Sequence, residues 1–407
     1  MSKHILFLDH DVNYSGSTVS MLRIIEELTA EGFKVSLYTP KNDELAAGLK
    51  IPGIEIYKFK FPLINSLALD THFSAEPAFN GPRGWMLFLI NRIKYSLGVK
   101  LISGVIGKCN PDLVYVNEHA IIQGAEAAGR KGKKCVVHLR SCFNYGKNSY
   151  PHKLIKKNIN KYCSAVFAIS GMEKEMLDLP ADSKISVETV GEFLPEKPVA
   201  VSKSAEEIKK EYYIPPGKKI VLSMAGILNI KGGLIFLKAA EILRSKYENV
   251  VFVLAGKIYH DGSDKIAYYW KNCSRIIKRL EAKRSLFVTG EVQDINELLY
   301  IADIVTVNSI ESHFSRPVIE AWSHRRPVIA SDVQHHKNMI SDGIDGLLYD
   351  SVNALDLAAK IEELLSDPAK CNSLALAGFD KTVNVYSKDN TLGKIVRACK
   401  RLTEENA

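Results

Sequence analysis

Short apolar runs alternate with stretches of helical period along most of this 407-residue chain. The runs predict buried strands, and the intervening stretches predict helices. The predicted strands are residues 4–8, 33–38, 113–116, 135–139 and 165–169 in the first half, and 220–224, 250–255 and 304–307 in the second. Because parallel strands joined by helices need right-handed crossovers, this alternation predicts doubly wound parallel sheets of the α/β class.

The alternation stops once and then restarts. Between residues 196 and 216 the sequence EKPVAVSKSAEEIKKEYYIPP is rich in Pro, Lys and Glu, which is typical of a linker between domains. We therefore predict an N-terminal domain of residues 1–195, a linker of residues 196–216 and a C-terminal domain that begins at residue 217. A ligand is expected in the cleft between two such domains.

The stretch of residues 301–332, IADIVTVNSIESHFSRPVIEAWSHRRPVIASD, carries the strongest functional pattern. A buried strand runs into a polar loop, and Pro317 then opens a short helix. The free amides and the dipole of such a helix start favour a phosphate. Glu311 and Glu320 bracket the loop, and carboxylates accept both hydroxyls of a sugar or ribose. The pattern predicts a nucleotide-sugar pocket; a solvated loop with two surface glutamates is the alternative.

Composition narrows the function classes. The net charge is +8, and residues 51–150 hold thirteen Lys/Arg against six Asp/Glu, an excess of +7. Such a region attracts nucleic acid, anionic lipid or an acidic substrate. The sequence shows no nucleic-acid motif, so we expect no nucleic-acid partner. The seven cysteines are scattered without a CxxC pair, which indicates structural thiols. The acidic N-terminus and the lack of a long apolar run predict a cytoplasmic protein.

The stretch RPVIEAWSHRRPVIAS resembles the signature of retaining GT-B glycosyltransferases, particularly glycosyltransferase family 4. The segments LVYVNEH, VVHLR, AVFAISGMEKEML, FVTGEVQDINELLYIADIVTV and SDGIDGLLYDSVNALDLAAKIEELLSDPAK are also similar to that family. The resemblance implies a GT-B fold, in which two Rossmann-like domains face a central cleft. It further implies that residues 1–195 bind the acceptor, that residues 217–385 bind the nucleotide sugar, and that residues 386–407 cross back to the first domain.

The resemblance assigns two catalytic positions. It gives His138, at the end of its strand, a place near the transferred sugar, although an isolated histidine on an apolar strand is also typical of a core residue. It gives the first glutamate of the family's Glu-x7-Glu element a contact at the reacting centre. Here Glu311 and Glu320 enclose eight residues rather than seven, so either Glu311 or Ser312 occupies that position. Glu320 matches the glutamate that binds the donor ribose.

The remaining donor contacts are also implied by the resemblance. Lys231, in the loop AGILNIKGG, matches a lysine that holds the diphosphate, whereas Ile227 stands where the family has an arginine. Affinity for the diphosphate is then either lower or supplied in part by another group such as Arg316. Gly16 is what remains of a glycine-rich loop. Backbone groups near Val292 are expected to contact the nucleobase. Gly226 is expected to let the backbone approach the ligand closely. The set is completed by hydrogen-bond donors of Phe314, Ser315, Arg316 and Val318.

Together these features imply a retaining transferase that moves a sugar from a nucleoside diphosphate sugar to a glycan or lipid-linked acceptor, in cell-surface polysaccharide or glycolipid synthesis. The retaining reaction of this architecture needs no protein nucleophile. No metal or other cofactor is expected, since Asp9 and Asp11 form only an isolated acidic pair. Two alternatives stay open. One is a catalytically weak donor-binding subunit of a partner transferase, and the other is a nucleotide-sugar epimerase or hydrolase on the same fold.

Residues 85–108, WMLFLINRIKYSLGVKLISGVIGK, have a helical pattern with two stripes. Arg92, Ser96, Lys100 and Ser103 form one stripe, and Leu89, Ile93, Leu97, Leu101 and Val105 form the other. One interpretation is a helix packed on the sheet through its apolar stripe, with a solvated basic face. The other is a basic face that rests on anionic lipid, which predicts peripheral contact with the membrane.

Overall fold

The structure is a computed structural model that describes residues 2–12, 16–40, 53–58, 66–69, 82–142, 150–180, 182–194, 201–258, 264–292 and 294–404. The chain divides into two compact units. The first comprises Met1–Phe193 together with Asp389–Ala407, and the second comprises Leu194–Lys388.

The described part of the first unit contains a parallel sheet of seven strands. They are β1 (His4–Leu8), β2 (Lys34–Thr39), β3 (Glu55–Lys58), β4 (Leu113–Val116), β5 (Lys134–Leu139), β6 (Ala165–Ala168) and β7 (Ser186–Thr189), in the order β3-β2-β1-β4-β5-β6-β7. Ile5 and Phe7 enter one hydrophobic cluster, and Leu6 and Leu8 enter another. Since successive side chains of a strand point to opposite faces, both faces of this sheet are covered.

Helices connect these strands, as parallel neighbours require. They are α1 (Gly16–Ala30), α2 (Pro82–Cys109), α3 (Gln123–Arg130), α4 (Tyr150–Tyr162) and α5 (Gly171–Leu177). The helix α2 differs from the predicted packing. It is buried through Val99, Ile102 and Ile106, whereas Leu89 and Ile93 of the predicted core stripe are exposed. The stripe prediction is wrong for the first half of the helix because only the second half packs into the core.

The second unit repeats the plan. Its described strands are β8 (Lys219–Ser223), β9 (Val250–Ala255), β10 (Leu286–Gly290), β11 (Ile304–Val307), β12 (Val328–Ser331) and β13 (Leu347–Tyr349), all parallel, in the order β10-β9-β8-β11-β12-β13. The order reverses direction between β8 and β11, which is the place where ligands bind in open α/β sheets. The predicted α/β class with two doubly wound parallel sheets is confirmed.

The helices of the second unit are α6 (Ala205–Glu211), α7 (Gly233–Leu243), α8 (Asp264–Glu281), α9 (Ile295–Ile301), α10 (Arg316–Ser323), α11 (Gln334–Met339), α12 (Ala354–Ser366) and α13 (Pro368–Val385). The helix α6 lies inside the predicted linker. Ser204 and Glu207 form a capping box at its start, and Ile208 is buried in a core of the second unit. This part of the segment is therefore not a linker, because its one buried residue packs into the unit that follows.

The chain returns to the first unit after α13. A short π-helix, Asp389–Gly393, leads into α14 (Lys394–Glu404). Ile395, Cys399 and Leu402 of α14 join the cluster that contains Ile5 and Phe7 of β1. Within the described residues, we find no helix of the length and apolar character that crossing a membrane requires.

Candidate functional site

Two loops of the second unit meet beyond the ends of β8 and β11. Gly232 joins the first loop to α7 with a left-handed backbone (φ +67°), and a Cβ there would lie 1.8 Å from the carbonyl oxygen of Asn308. Only glycine permits this approach. The Ile310 amide donates to the carbonyl of Ile230 across 3.0 Å. These contacts place Lys231 beside the polar loop that precedes α10.

Lys231 is hydrogen-bonded to a histidine of that loop, His313. His313 Nδ1 lies 3.0 Å from the carbonyl oxygen of Glu311, an acceptor, so Nδ1 carries the proton. His313 Nε2 is therefore the acceptor for the Lys231 ammonium, 2.6 Å away. Burial and the nearby Lys231 lower the pKa of His313 to about 3, so the ring is neutral at physiological pH. Burial and the Arg316 guanidinium lower the pKa of Lys231 to about 8.

The start of α10 adds further donors. Arg316 Nε lies 2.8 Å from Glu320 Oε1, one helical turn along α10. Arg316 Nη1 and Ser315 Oγ are both buried, and neither has a hydrogen-bond partner among the described residues. The backbone amides of Phe314, Ser315 and Arg316 make no hydrogen bond within the same ranges. Buried donors without partners cost free energy, so a site of this kind is stabilised by a ligand that accepts from them.

The charges of this region favour an anion. Lys231 and Arg316 bring two cationic groups close enough to lower the pKa of the lysine. The N-terminus of α10, an eight-residue helix with Pro317 in its first turn, faces the same loop with its positive dipole end. The Ser315 side chain does not cap this helix. Cations, free amides and a free hydroxyl that converge in this way suit the oxygens of a phosphate or diphosphate.

The other predicted donor residues of the second unit take different places. The Val318 amide donates to the Ser315 carbonyl across 3.1 Å, so it is already occupied in this structure. The Phe314 ring contacts Tyr386 edge to face, with the centroids 6.5 Å apart, and packs on the core. Val292 follows β10 and is also partly buried against that core. These two side chains therefore support the loop rather than offer polar groups to a ligand.

Ile227 occupies the position at which the resemblance expects an arginine. Its side chain is buried in the core of the second unit. The neighbouring Gly226 has a left-handed backbone (φ +56°), and a Cβ there would lie 2.4 Å from the Lys257 carbonyl oxygen. The loop is thus held against the segment after β9. Its cationic group comes from Lys231, and the second cation of the site is Arg316.

Glu311 and Ser312 have different environments. Among the described residues, the Glu311 carboxylate makes no hydrogen bond, and only its carbonyl is engaged, by His313. Ser312 Oγ accepts from the His335 amide at 3.1 Å and lies 2.9 Å from His335 Nδ1. Ser312 therefore ties the loop to the start of α11. The sequence analysis missed both His313 and His335. The only local signal was that His313 directly follows Ser312 in the polar loop before α10.

The two predicted site residues of the first unit, Gly16 and His138, differ in their exposure to solvent. Gly16 is the exposed first residue of α1. His138 is buried in β5, where Nδ1 lies 2.7 Å from the Tyr115 hydroxyl and the ring packs edge to face on Phe167. Burial, with a contribution from Arg140, holds the pKa of His138 well below its usual range. His138 is thus a neutral interior group, and its catalytic role stays a prediction.

A buried polar network adjoins His138 and was not predicted. Arg140 Nε donates to Asn117 Oδ1 at 2.9 Å, and Arg140 Nη1 lies 3.6 Å from Glu192 Oε2. The Ser20 hydroxyl donates to Glu192 Oε1 at 2.5 Å. Ser20, Arg140, Glu192 and His138 line one small cavity of the first unit. The network fixes the segment after β7, just before the chain leaves the first unit.

Comparison with known proteins agrees with this geometry. Solved structures match nearly the whole chain: a glycosyltransferase from Rickettsia africae has a TM-score of 0.76 at 19% identity and covers 98% of both chains. Anabaena HepE in complex with UDP and glucose has a TM-score of 0.73 at 18% identity, with 97% of this chain and 99% of that chain covered. The chain has the GT-B fold.

The family match concerns the second unit of this GT-B chain. Residues 204–380, which lie in the second unit, match the family model of glycosyl transferases group 1. The putative glycosyltransferase EpsD of Bacillus subtilis is 28% identical over 156 residues, 38% of either protein. A Campylobacter jejuni N-acetylgalactosaminyltransferase is 33% identical over 37% of this chain and 36% of its own. The chain thus matches less than two fifths of the length of these relatives.

Proposed function

We propose that this protein is a retaining glycosyltransferase, similar to family 4, that transfers a sugar from a nucleoside diphosphate sugar. One observation carries the proposal: Arg316 Nη1 and Ser315 Oγ lie buried at the start of α10 without a partner in the part of the chain that the structure describes, and Lys231 lies beside them. This set of donors fits the diphosphate of such a donor substrate. The match to the group 1 family supports the same activity.

The geometry indicates how the second unit would promote the reaction. Cleavage of the bond between sugar and diphosphate builds negative charge on the leaving oxygens. Lys231, Arg316 and the free amides of residues 314–316 would stabilise that charge, and they are fixed before the substrate binds. Glu320, one turn further along α10, is placed to accept the ribose hydroxyls. None of these steps uses a metal ion, and we propose that none is required.

We propose a glycan or lipid-linked acceptor, and a cytoplasmic protein in peripheral contact with an anionic membrane. The similar Campylobacter protein is named for a diphospho-undecaprenol acceptor. A similar Staphylococcus aureus protein, 26% identical over 180 residues, is named for a poly(ribitol-phosphate) acceptor. These names support polymer or lipid acceptors in cell-surface polysaccharide or glycolipid synthesis. We propose no nucleic-acid partner.

A thermal-shift screen of UDP, GDP, ADP and TDP sugars tests donor binding, because a ligand of the native state raises the unfolding temperature. The donor that binds is then incubated with candidate acceptors, with and without a chelator, and the anomeric configuration of the product is read by NMR. We expect binding of one base class, chelator-resistant transfer and retention. Failure of every nucleotide sugar to bind would exclude the proposal.

A second candidate is a donor-binding subunit with weak activity that supports a partner transferase. Ile227 in the core and the Ser312–His335 contact favour it, since both replace charged groups expected from the resemblance. Such a subunit would bind the donor and lose that binding in Glu320→Ala, yet transfer no sugar to any acceptor. An epimerase or hydrolase would instead convert the donor with the acceptor omitted, so a no-acceptor incubation separates the three functions.

A further inference from the structure

The first half of α2 exposes a cluster of large apolar side chains. Trp85 is 62% exposed, Met86 53%, Leu89 60%, Ile90 37% and Ile93 52%. We call these five residues the α2 patch. They recur at intervals of three and four along the sequence, so they share one face of the helix. A continuous apolar surface of this kind on a soluble domain indicates a binding surface, whereas single exposed apolar residues do not.

The surroundings of the α2 patch are basic. Helix α2 contains five Lys/Arg and α4 contains four, and neither contains Asp or Glu. The two helices are in contact beside the patch: the rings of Phe88 and Tyr150 meet edge to face at 5.1 Å, and Arg92 Nη1 donates to the Tyr150 hydroxyl at 3.4 Å. Lys153 and Lys157 are exposed on α4. The patch therefore lies within a surface that carries only positive formal charge on these helices.

Contacts of the second half of α2 with the first unit fix the position of this helix. Val99, Ile102 and Ile106 pack into the core of the first unit, and the Tyr95 hydroxyl donates to Asn158 of α4 at 2.8 Å. The helix therefore cannot roll its apolar face inward to bury the patch. The α2 patch stays available to a partner that covers it from outside.

We propose that the α2 patch inserts into the headgroup region of an anionic membrane, with the lysines of α4 against the lipid phosphates. An apolar face flanked by Lys and Arg, with a tryptophan at its edge, is the pattern of helices that lie in the membrane interface. A second copy of the chain would bring the basic residues beside the patch against like charges, which disfavours self-association through this face. An anionic lipid surface complements both the charge and the apolar patch.

This surface corrects the predicted lipid contact in one respect. The sequence pattern places the basic stripe of α2 on the lipid, whereas the structure exposes an apolar cluster at the start of the helix and basic residues around it. The inference deepens the proposed function, since it would bring the protein to a lipid-linked acceptor. It does not use the donor site, however, so either proposal can fail without the other.

Vesicle flotation of the full chain tests the inference. We expect the protein to float with vesicles that contain phosphatidylglycerol, and to remain at the bottom with phosphatidylcholine alone or at high salt. Leu89→Ser/Ile93→Ser should weaken binding by at least roughly tenfold, because it removes buried apolar area. Lys153→Gln/Lys157→Gln should weaken it roughly 25-fold, about fivefold for each lysine.

Matched variants control for general surface effects. Val352 and Leu355 of the second unit are 68% and 69% exposed, so Val352→Ser/Leu355→Ser removes similar apolar surface elsewhere. Lys238 and Lys271 are exposed lysines outside the basic surface, and Lys238→Gln/Lys271→Gln matches the charge change. Both control pairs should float like the original protein. Pyrophosphate binding, followed by thermal shift, should be unchanged in all four variants and would show that they are folded.

Three results would overturn the inference. The first is no flotation with phosphatidylglycerol vesicles, and the second is equal flotation with phosphatidylcholine alone. The third is a concentration-dependent dimer in sedimentation velocity that Leu89→Ser/Ile93→Ser abolishes, which would make the α2 patch an interface between copies. Loss of donor binding with intact flotation would leave this inference standing and would count against the proposed function only.

Discussion

The Lys231 ammonium donates a hydrogen bond of 2.6 Å to Nε2 of His313, and this bond joins the two loops of the candidate donor site. Burial lowers the pKa of Lys231 to about 8, with Arg316 adding to the effect. The ammonium form of Lys231 therefore predominates below pH 8 and is lost as the pH rises through 8. A bound anion would raise this pKa, because it favours the charged form.

We predict that pyrophosphate affinity falls up to about tenfold per pH unit above pH 8 and changes little between about pH 7 and 8. Calorimetric titration across that range measures the effect. Lys231→Arg keeps a positive charge at every pH used and should give a flat profile above pH 8. An affinity of the original protein that is constant up to about pH 9.5 would contradict the assigned role of Lys231.

His313 should act as a positioning residue for Lys231. In His313→Ala the ammonium loses its acceptor and its fixed place, so we expect the KM for the donor to rise about three- to tenfold, the cost of one hydrogen bond, with a smaller change in kcat. His313→Gln retains an acceptor and should restore part of the affinity. His324→Ala is the control. It also removes one histidine hydrogen bond, because His324 follows α10 and its Nε2 is hydrogen-bonded to Asn296 Oδ1 rather than to Lys231. Equal effects of the His313→Ala and His324→Ala changes would speak against positioning.

Glu320 should distinguish ribose from deoxyribose. We expect the protein to bind a ribonucleoside diphosphate roughly tenfold or more tightly than its 2′-deoxy analogue, the worth of a hydrogen bond to a carboxylate. In Glu320→Ala that preference should fall to near one. Pyrophosphate affinity should stay the same or rise, because Arg316 loses its partner at 2.8 Å. Glu241→Ala, which removes a surface partner of Arg279, is the control. A preserved preference in Glu320→Ala would remove Glu320 from the ribose site.

Gly232→Ala should destabilise the protein strongly. The new Cβ would meet the Asn308 carbonyl oxygen at 1.8 Å on a left-handed backbone, and we expect a loss of about 3 kcal/mol or more in the free energy of unfolding. Gly343→Ala isolates the backbone cost, because its φ is +76° but nothing lies within 4 Å of the added Cβ. That variant should lose about 1–2 kcal/mol. Denaturant unfolding measures both, and equal losses would contradict the close contact.

The fold was largely predictable from the sequence because strand and helix periods are local. Strands such as β1 and β11 are short apolar runs, and their burial on both faces follows from the parallel arrangement. The helix α6 was missed because one buried residue, Ile208, decides it, and the surrounding Lys and Glu resemble a linker. The exposed half of α2 was missed because periodicity gives a helix its faces but does not indicate which part of its length is covered.

The candidate site was predictable only in part. Lys231, Arg316 and Glu320 stand on the loop and helix start that the sequence singles out, and the structure brings them together in the second unit. The partnership of Lys231 with His313 depends on a contact between segments 82 positions apart, which no local pattern reports. Likewise, the occupied amide of Val318 follows from the tight turn at Ser315, a detail of backbone geometry.

The packing of α14 against β1 has a consequence for synthesis on the ribosome. Ile395, Cys399 and Leu402 cover a face of the sheet whose first strand, His4–Leu8, is made almost four hundred codons earlier. Helix α1 covers part of the same face, but until the late segment emerges the rest of that apolar face is uncovered, a condition that invites chaperone capture or aggregation. Termination of translation at a stop codon introduced before Lys394 should therefore yield an insoluble fragment, even though the second unit would already be complete.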